Sequence, residues 1–245
     1  EIADRDWSSD VCSSDLIGDD SAGSQGMNIG GDTYIDYFFR RAPGFMDEVC
    51  DTGTGVAHTI AHNLTVVPEL IIRKGRSGAT QREVYHSAIA NTEKFVLNSV
   101  AGKVTDTTAW NSTTPTASVF TVGTGANVNT NNATYVTYLF ATLAGISKVG
   151  SYTGNGTSQT INCGFAGGAR FVLIKRTDAT GDWYVYDTAR GMTTLTDPYL
   201  LLNSTAAESA TLGSVTTATT GFAVNASILA AINTNGASYI FLAIA

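Results

Sequence analysis

Asp51-Thr-Gly-Thr-Gly55 returns 101 residues later as Tyr152-Thr-Gly-Asn-Gly156. At the same offset Leu70-Ile-Ile72 falls on Phe171-Val-Leu173, Val84-Tyr85 on Val185-Tyr186, and Ala88 on Ala189. The offset then widens to 105, where Phe95-Val-Leu-Asn-Ser99 meets Leu200-Leu-Leu-Asn-Ser204. Phe120-Thr-Val122 meets Phe222-Ala-Val224, and Asn129-Thr-Asn-Asn-Ala-Thr-Tyr135 meets Asn233-Thr-Asn-Gly-Ala-Ser-Tyr239. Self-similarity of this kind marks tandem copies of one structural unit. The changes of offset fall in Thr-, Ser- and Gly-rich stretches, where loops tolerate insertion.

A third instance is partial. Thr33-Tyr-Ile-Asp-Tyr-Phe-Phe39 matches Thr134-Tyr-Val-Thr-Tyr-Leu-Phe140 and Ser238-Tyr-Ile-Phe-Leu-Ala-Ile244. Reading this strand as the last of each unit gives repeats at 47–145 and 148–245, with 17–46 as the C-terminal remnant of a preceding copy plus a linker. A cut that puts the strand first would leave 238–245 dangling.

Within a unit the pattern is short strands separated by turns. In the second unit the expected strands are 158–162, 170–176, 182–188, 199–203, 221–225 and 238–244, with a weaker one near 148–152. They are rich in Val, Ile, Tyr and Phe, with period-2 or continuous apolar character. Thr177-Asp-Ala-Thr-Gly181 has the length and composition of a hairpin loop. Charged residues are only 14% of the chain, and Thr, Ser, Asn, Ala and Gly replace them, which favours strands and turns over surface helices. The expectation is an all-β protein of two tandem antiparallel β-sandwich repeats, jelly-roll-like, of about 100 residues each.

Asp6-Trp-Ser-Ser-Asp-Val-Cys-Ser-Ser-Asp-Leu16 resembles the translation of a sequencing-library adapter. Residues 1–16 are therefore read as an adapter-derived artefact and set aside. The acids then fall from 21 to 16 and the bases from 14 to 13, a net charge of −3. Such a balance carries no electrostatic footprint for nucleic acid. No apolar run approaches the length of a membrane span, so no membrane insertion is expected. Cys50 and Cys163 occupy unrelated positions of the repeat and are expected to be free thiols.

Catalytic constellations are sparse. His58, His62 and His86 all lie in the first unit, opposite Gln159, Cys163 and Asp187. No Gly-x-Ser-x-Gly elbow accompanies them. On a strand, His58 and His62 would lie about 13 Å apart, too far for one ion, so they read as surface or loop residues. Asp47, Glu48, Asp51, Glu69 and Glu83 fall opposite Lys148, Val149, Tyr152, Arg170 and Tyr184. The units thus share apolar strands and turn glycines but almost no charge, and a glycosidase pair is not a shared feature. Asp178, Asp182 and Asp187 around one hairpin read as a solvated turn rather than a Ca²⁺ site. Arg73, Lys74, Arg76 and Arg82 read as a solvated basic hairpin. No catalytic, metal or cofactor-binding residue is assigned, no cofactor is expected, and the protein is not expected to be an enzyme.

The aromatic stretch Asp182-Trp-Tyr-Val-Tyr-Asp187 is the best candidate contact. Trp183 and Val185 face one way and Tyr184 and Tyr186 the other. Trp183, Tyr184 and Tyr186 are assigned to a glycan or subunit contact, with packing against a neighbouring unit or subunit favoured for the two tyrosines. Tyr239-Ile-Phe-Leu-Ala-Ile244 is apolar on both faces and needs cover on both: one side is its own core, and the other is expected to meet a neighbouring subunit of a homo-oligomer or a loop of the same unit.

Residues 169–191, Asp197-Pro-Tyr-Leu-Leu-Leu-Asn-Ser-Thr-Ala-Ala-Glu208 and the terminal Ser238–Ala245 together resemble an uncharacterised repeat domain of bacteriophage and prophage virion proteins. Arg40-Arg-Ala-Pro-Gly-Phe45 resembles the link between its copies. The resemblance covers nearly everything after residue 27 and implies a tail-fibre or virion surface protein. It implies other virion proteins and host surface glycans as partners, and location on the phage particle. It supplies no catalytic residues. The first unit departs from the motif, with Gln81-Arg82 in place of Asp182-Trp183. The alternative is a carbohydrate-binding module of a secreted bacterial protein.

Overall fold

The computed structural model describes residues 35–193, 197–211, 213–226 and 230–245. The adapter-like stretch, with Trp7 and Cys12, and most of the segment before residue 47 lie outside the described residues. Arg41–Ala245 forms one compact unit.

In the first repeat the apolar runs become β1 (Met46–Thr52), β2 (His58–Ala61), β3 (Leu70–Gly75), β4 (Glu83–His86), β5 (Glu93–Val96), β6 (Val104–Thr105), β7 (Val119–Val122) and β8 (Thr134–Phe140). The second repeat has β9 (Ser147–Thr153), β10 (Gln159–Asn162), β11 (Phe171–Arg176), β12 (Trp183–Asp187), β13 (Asp197–Leu201), β14 (Ser209–Thr211), β15 (Val215–Ala218), β16 (Gly221–Val224) and β17 (Ser238–Ile244). One helical turn, Ala126–Asn129, precedes β8, and a 3₁₀ turn, Ala230–Ile232, precedes β17.

The first repeat has a six-stranded sheet, β1-β8-β3-β4-β5-β6, and a two-stranded sheet, β2-β7. The second has a six-stranded sheet, β9-β17-β11-β12-β13-β14, and a three-stranded sheet, β10-β16-β15. The large sheets have the same strand order, and every pairing is antiparallel. Leu70 pairs with His86 and Phe140, and its counterpart Phe171 pairs with Asp187 and Ile244. The expected register therefore holds, in an all-β sandwich fold. β14 and β15 were not anticipated, because Ser209-Ala-Thr211 and Val215-Thr-Thr-Ala218 carry too few large apolar residues to stand out from a loop.

Each sandwich is filled from its two inner faces. Ile60, Leu64, Ile71, Tyr85, Trp110, Phe120, Val122 and Leu139 make the first core. Tyr152, Ile161, Val172, Ile174, Tyr184, Tyr186, Phe222, Val224, Tyr239 and Phe241 belong to the second.

The repeated motifs meet at one end of each sandwich. Asn129 Oδ1 accepts the Thr54 amide at 2.8 Å, and its Nδ2 donates to the carbonyls of Val56 (2.8 Å) and Gly123 (2.7 Å). Asn233 does the same, accepting the Asn155 amide at 3.0 Å and donating to Thr157 O at 2.7 Å. A side chain at Gly53 or Gly154 would lie 2.3 Å from the carbonyl of Thr130 or Thr234. The Thr-Gly and Asn-Thr-Asn motifs recur because they latch this end of the fold.

The two large sheets also pack against each other, covering their second faces. Phe95 meets Trp183 edge to face at 5.9 Å. A residual gap of about 10 Å³ at the joint is lined by Leu70, His86, Leu173, Trp183, Ile240, Phe241 and Leu242. This explains why β17 is apolar on both faces: Tyr239 and Phe241 enter the second core, and Ile240 and Leu242 face the first repeat. The cover comes from the same chain. The expected free thiols also need correcting: Cys163 is free and buried, its pKa pushed up to about 12 by burial, but Cys50 is disulfide-bonded.

Candidate functional site

The alternation within β12 decides where the three candidate aromatics go. Tyr184 and Tyr186 point into the second core, at 6% and 0% exposure, and Tyr199 packs 5.4 and 5.8 Å from their rings. Burial drives the phenol pKa of both above the ordinary value. Neither reaches the surface in this fold. Trp183 points the other way, into the joint, at 1% exposure. It is the tryptophan, not the tyrosine pair, that packs against a neighbouring repeat. Its Nε1 donates to Val96 O of the first repeat at 3.1 Å, satisfying the one polar atom that its burial would strand.

The joint is closed by backbone as well. Val100 O accepts from Gly181 N at 2.8 Å and from Lys175 Nζ at 3.0 Å, and Lys103 N donates to Thr177 O at 3.0 Å. Lys175 is fully buried. It also donates to Gly181 O and lies 5.7 Å from the Trp183 ring centroid. Burial pulls its pKa down to about 8, with Asp182 opposing. Gly102 approaches so closely that a side chain there would lie 2.8 Å from Thr177 O.

His86 is on the first repeat's side of the joint at 1% exposure. Nδ1 accepts the Ala88 amide at 3.0 Å, which places the proton on Nε2. Nε2 lies beside the Phe241 backbone, short of a full hydrogen bond. Burial lowers its pKa to about 4. His62 is also buried, held by Thr116 O and the Leu64 amide. Of the three expected surface or loop histidines only His58 is partly exposed. The other two are structural, because the strands that carry them are covered.

The basic cluster divides similarly. Arg73 is not solvated. It is fully buried, forks onto Asp51 at 2.7 and 2.8 Å, donates to Val128 O at 2.8 Å and stacks 4.2 Å from the Tyr135 ring centroid. Lys94 sits between Glu83 (2.9 Å) and Asp106 (2.8 Å). Burial lowers the Lys94 pKa, but its two carboxylate partners more than offset this and raise it overall. Burial raises the Glu83 pKa. Asp106 is raised by burial but brought down to about 2 by Lys94 and Thr108. Glu83 is fully buried and Asp106 is partly exposed, and both are committed to Lys94. The three hairpin aspartates part company: Asp178 pairs with Arg176, Asp182 accepts from Asn203, and Asp187 binds Arg190.

A groove of about 620 Å³ opens at the other side of the joint, lined by Arg82, Asn98, Leu202, Asn203, Ser204 and Thr205. It lies between the repeats, and its position follows from their correspondence. Arg82 occupies the place of Trp183, and Leu202–Thr205 the place of Leu97–Val100. Trp183 fills its side of the joint against Phe95 and Val96; Arg82 leaves the equivalent side open. The walls are set by one shared device. Asn98 Oδ1 accepts the Arg82 amide at 2.9 Å, and Asn203 Oδ1 accepts the Trp183 amide at 2.8 Å. The sequence hint was the Arg82/Trp183 mismatch, but only the packing shows that one void results.

Fold and site define a class: a tandem all-β sandwich protein whose two repeats are joined face to face, with a polar groove at the joint. The chain belongs to a family described as a domain of unknown function, DUF7483, which it matches over residues 40–245. That match runs through both repeats as one domain. No curated protein and no solved structure is a significant match to the chain.

Proposed function

We propose that the protein is a non-enzymatic structural or adhesion module of a bacteriophage particle, a tail fibre or virion surface protein that contacts host surface glycans. The observation that carries this reading is where the chemically capable side chains go. Arg73, Asp51, Glu83, Lys94, His62 and His86 are used to hold strands and sheets together. A scaffold that uses these acids and two of its three histidines internally suits display and contact better than turnover. The motif resemblance to virion proteins supplies the setting. Its partners there would be other virion proteins, further copies of itself in a homo-oligomer, and host glycans.

The test is a glycan array with the full chain, followed by mass spectrometry of any captured glycan after prolonged incubation. Capture without cleavage is expected. Cleavage would overturn the non-enzymatic reading. An antibody against the chain should label sedimented phage particles; labelling only of soluble secreted protein would favour the second reading, a carbohydrate-binding module of a secreted bacterial protein, which the polar groove also suits.

A further inference from the structure

We infer that the groove at the joint binds an acidic saccharide, with Arg82 holding the sugar carboxylate. The inference rests on the glycan-contact part of the proposed function, and it assigns that contact to a place. Arg82 is half-buried, and among the described residues its guanidinium has no acidic partner. A guanidinium at the lining of a groove can match a carboxylate bidentately. The Asn98 Oδ1 is committed to the Arg82 amide, which turns the amide NH₂ outward as a donor. Ser204 Oγ accepts the Ala206 amide at 3.0 Å and keeps its own proton to donate, and Thr205 adds a second hydroxyl at the lining. Leu202, 36% exposed, offers the single apolar surface, suited to the C–H face of a sugar ring.

Size and charge narrow the class. A groove of about 620 Å³ lies within the range of small-molecule sites and exceeds what phosphate alone would fill. One cation in a chain of net charge −7 does not make a track for a polyanion such as nucleic acid. One charge, several neutral donors and one apolar patch are the complement of a carboxylated sugar.

The full chain is titrated by calorimetry with sialyllactose, glucuronic acid, lactose and sodium phosphate. Binding of one or both acidic sugars is expected at roughly millimolar Kd, with lactose about tenfold weaker or undetected. Arg82→Gln should weaken acidic-sugar binding about tenfold or more, as loss of a charge-assisted pair does. Thr205→Trp, which fills the groove from the opposite wall, should abolish it. Neither variant should shift the unfolding midpoint, because both side chains lie at the groove rather than in a core. The inference is overturned if no acidic sugar binds, if lactose binds equally, if Arg82→Gln binds like the parent, or if phosphate binds as tightly as the sugars, which would make the groove a plain anion site. Capture of other glycans on the array despite failure here would leave the adhesion reading standing without this groove; failure of both would remove both.

Discussion

The two cores carry one strand order with opposite chemistry. In the first, Arg73 and Asp51 form a buried fork, and Arg73 satisfies the carbonyl of Val128 in the helical turn. The equivalent positions of the second hold Ile174 and Tyr152, and Tyr152 satisfies the equivalent carbonyl, Ile232 O, at 2.6 Å. The triad Glu83, Lys94 and Asp106 corresponds to Tyr184, Tyr199 and Thr211. The same orphan backbone group is thus met by an ion-paired guanidinium in one copy and a phenol in the other. The backbone sets what must be satisfied; the side chain is free to change as long as the polar atom is reached and the charge is paired.

The sharpest way to break this equivalence is at Arg73. Arg73→Ile alone strands Asp51 and the Val128 carbonyl, and should cost about 3–5 kcal/mol in urea unfolding. Adding Asp51→Tyr transplants the second repeat's pair and should restore stability to within about 1 kcal/mol of the parent or better. A double variant as unstable as the single one would mean the two cores are not interchangeable. At the joint, Trp183→Ala should cost about 3–5 kcal/mol through the lost burial and the void left behind, while Arg82→Gln at the equivalent position should stay within about 0.5 kcal/mol.

His86, unlike its counterpart Asp187, makes the joint acid-sensitive. Its pKa in the fold is about 4 against the usual 6.5, so the fold favours the neutral ring. Its contribution is complete above pH 6.5, falls as the unfolded chain takes up protons below that, and is gone by about pH 4. Denaturant titrations at pH 7 and pH 4 should differ by up to about 3 kcal/mol more in the parent than in His86→Gln. Equal pH dependence in the two proteins would contradict this account. The smallest difference between the two repeats should come at the latches. Asn129→Ala and Asn233→Ala should each cost about 1–3 kcal/mol and differ little, because the two asparagines make equivalent bonds. A large difference would show that the repeats rely on this latch unequally.

Much of the fold was legible in the chain. Repetition fixed which segments correspond, and apolar runs fixed most strands to within about two residues. The two faces of β12 were also legible. What the pattern could not say was which face met what, since both turned out to be covered. A signal existed: Leu70-Ile-Ile72 and Phe171-Val-Leu-Ile174 are apolar without alternation, the mark of strands buried on both sides. The fork at Arg73 was hidden because its partners, Asp51 and Val128, are distant in sequence. The groove was least legible of all, being an absence of packing at a position whose twin is filled.

The joint pairs the large sheet of one copy with the corresponding sheet of the other, as like faces pair in an isologous dimer, here within one polypeptide. Such a pairing closes on itself and leaves no equivalent face for a third copy. Longer arrays of this repeat should therefore grow two copies at a time rather than one. A protease nick at Gly145, in an exposed turn with positive φ, would leave the halves associated through Phe95, Trp183 and the Val100 carbonyl. Halves produced separately would each present a bare sheet face carrying Leu70, Val84 and Phe95, or Leu173, Ile240 and Leu242. Their stickiness would report the cut and not the parent.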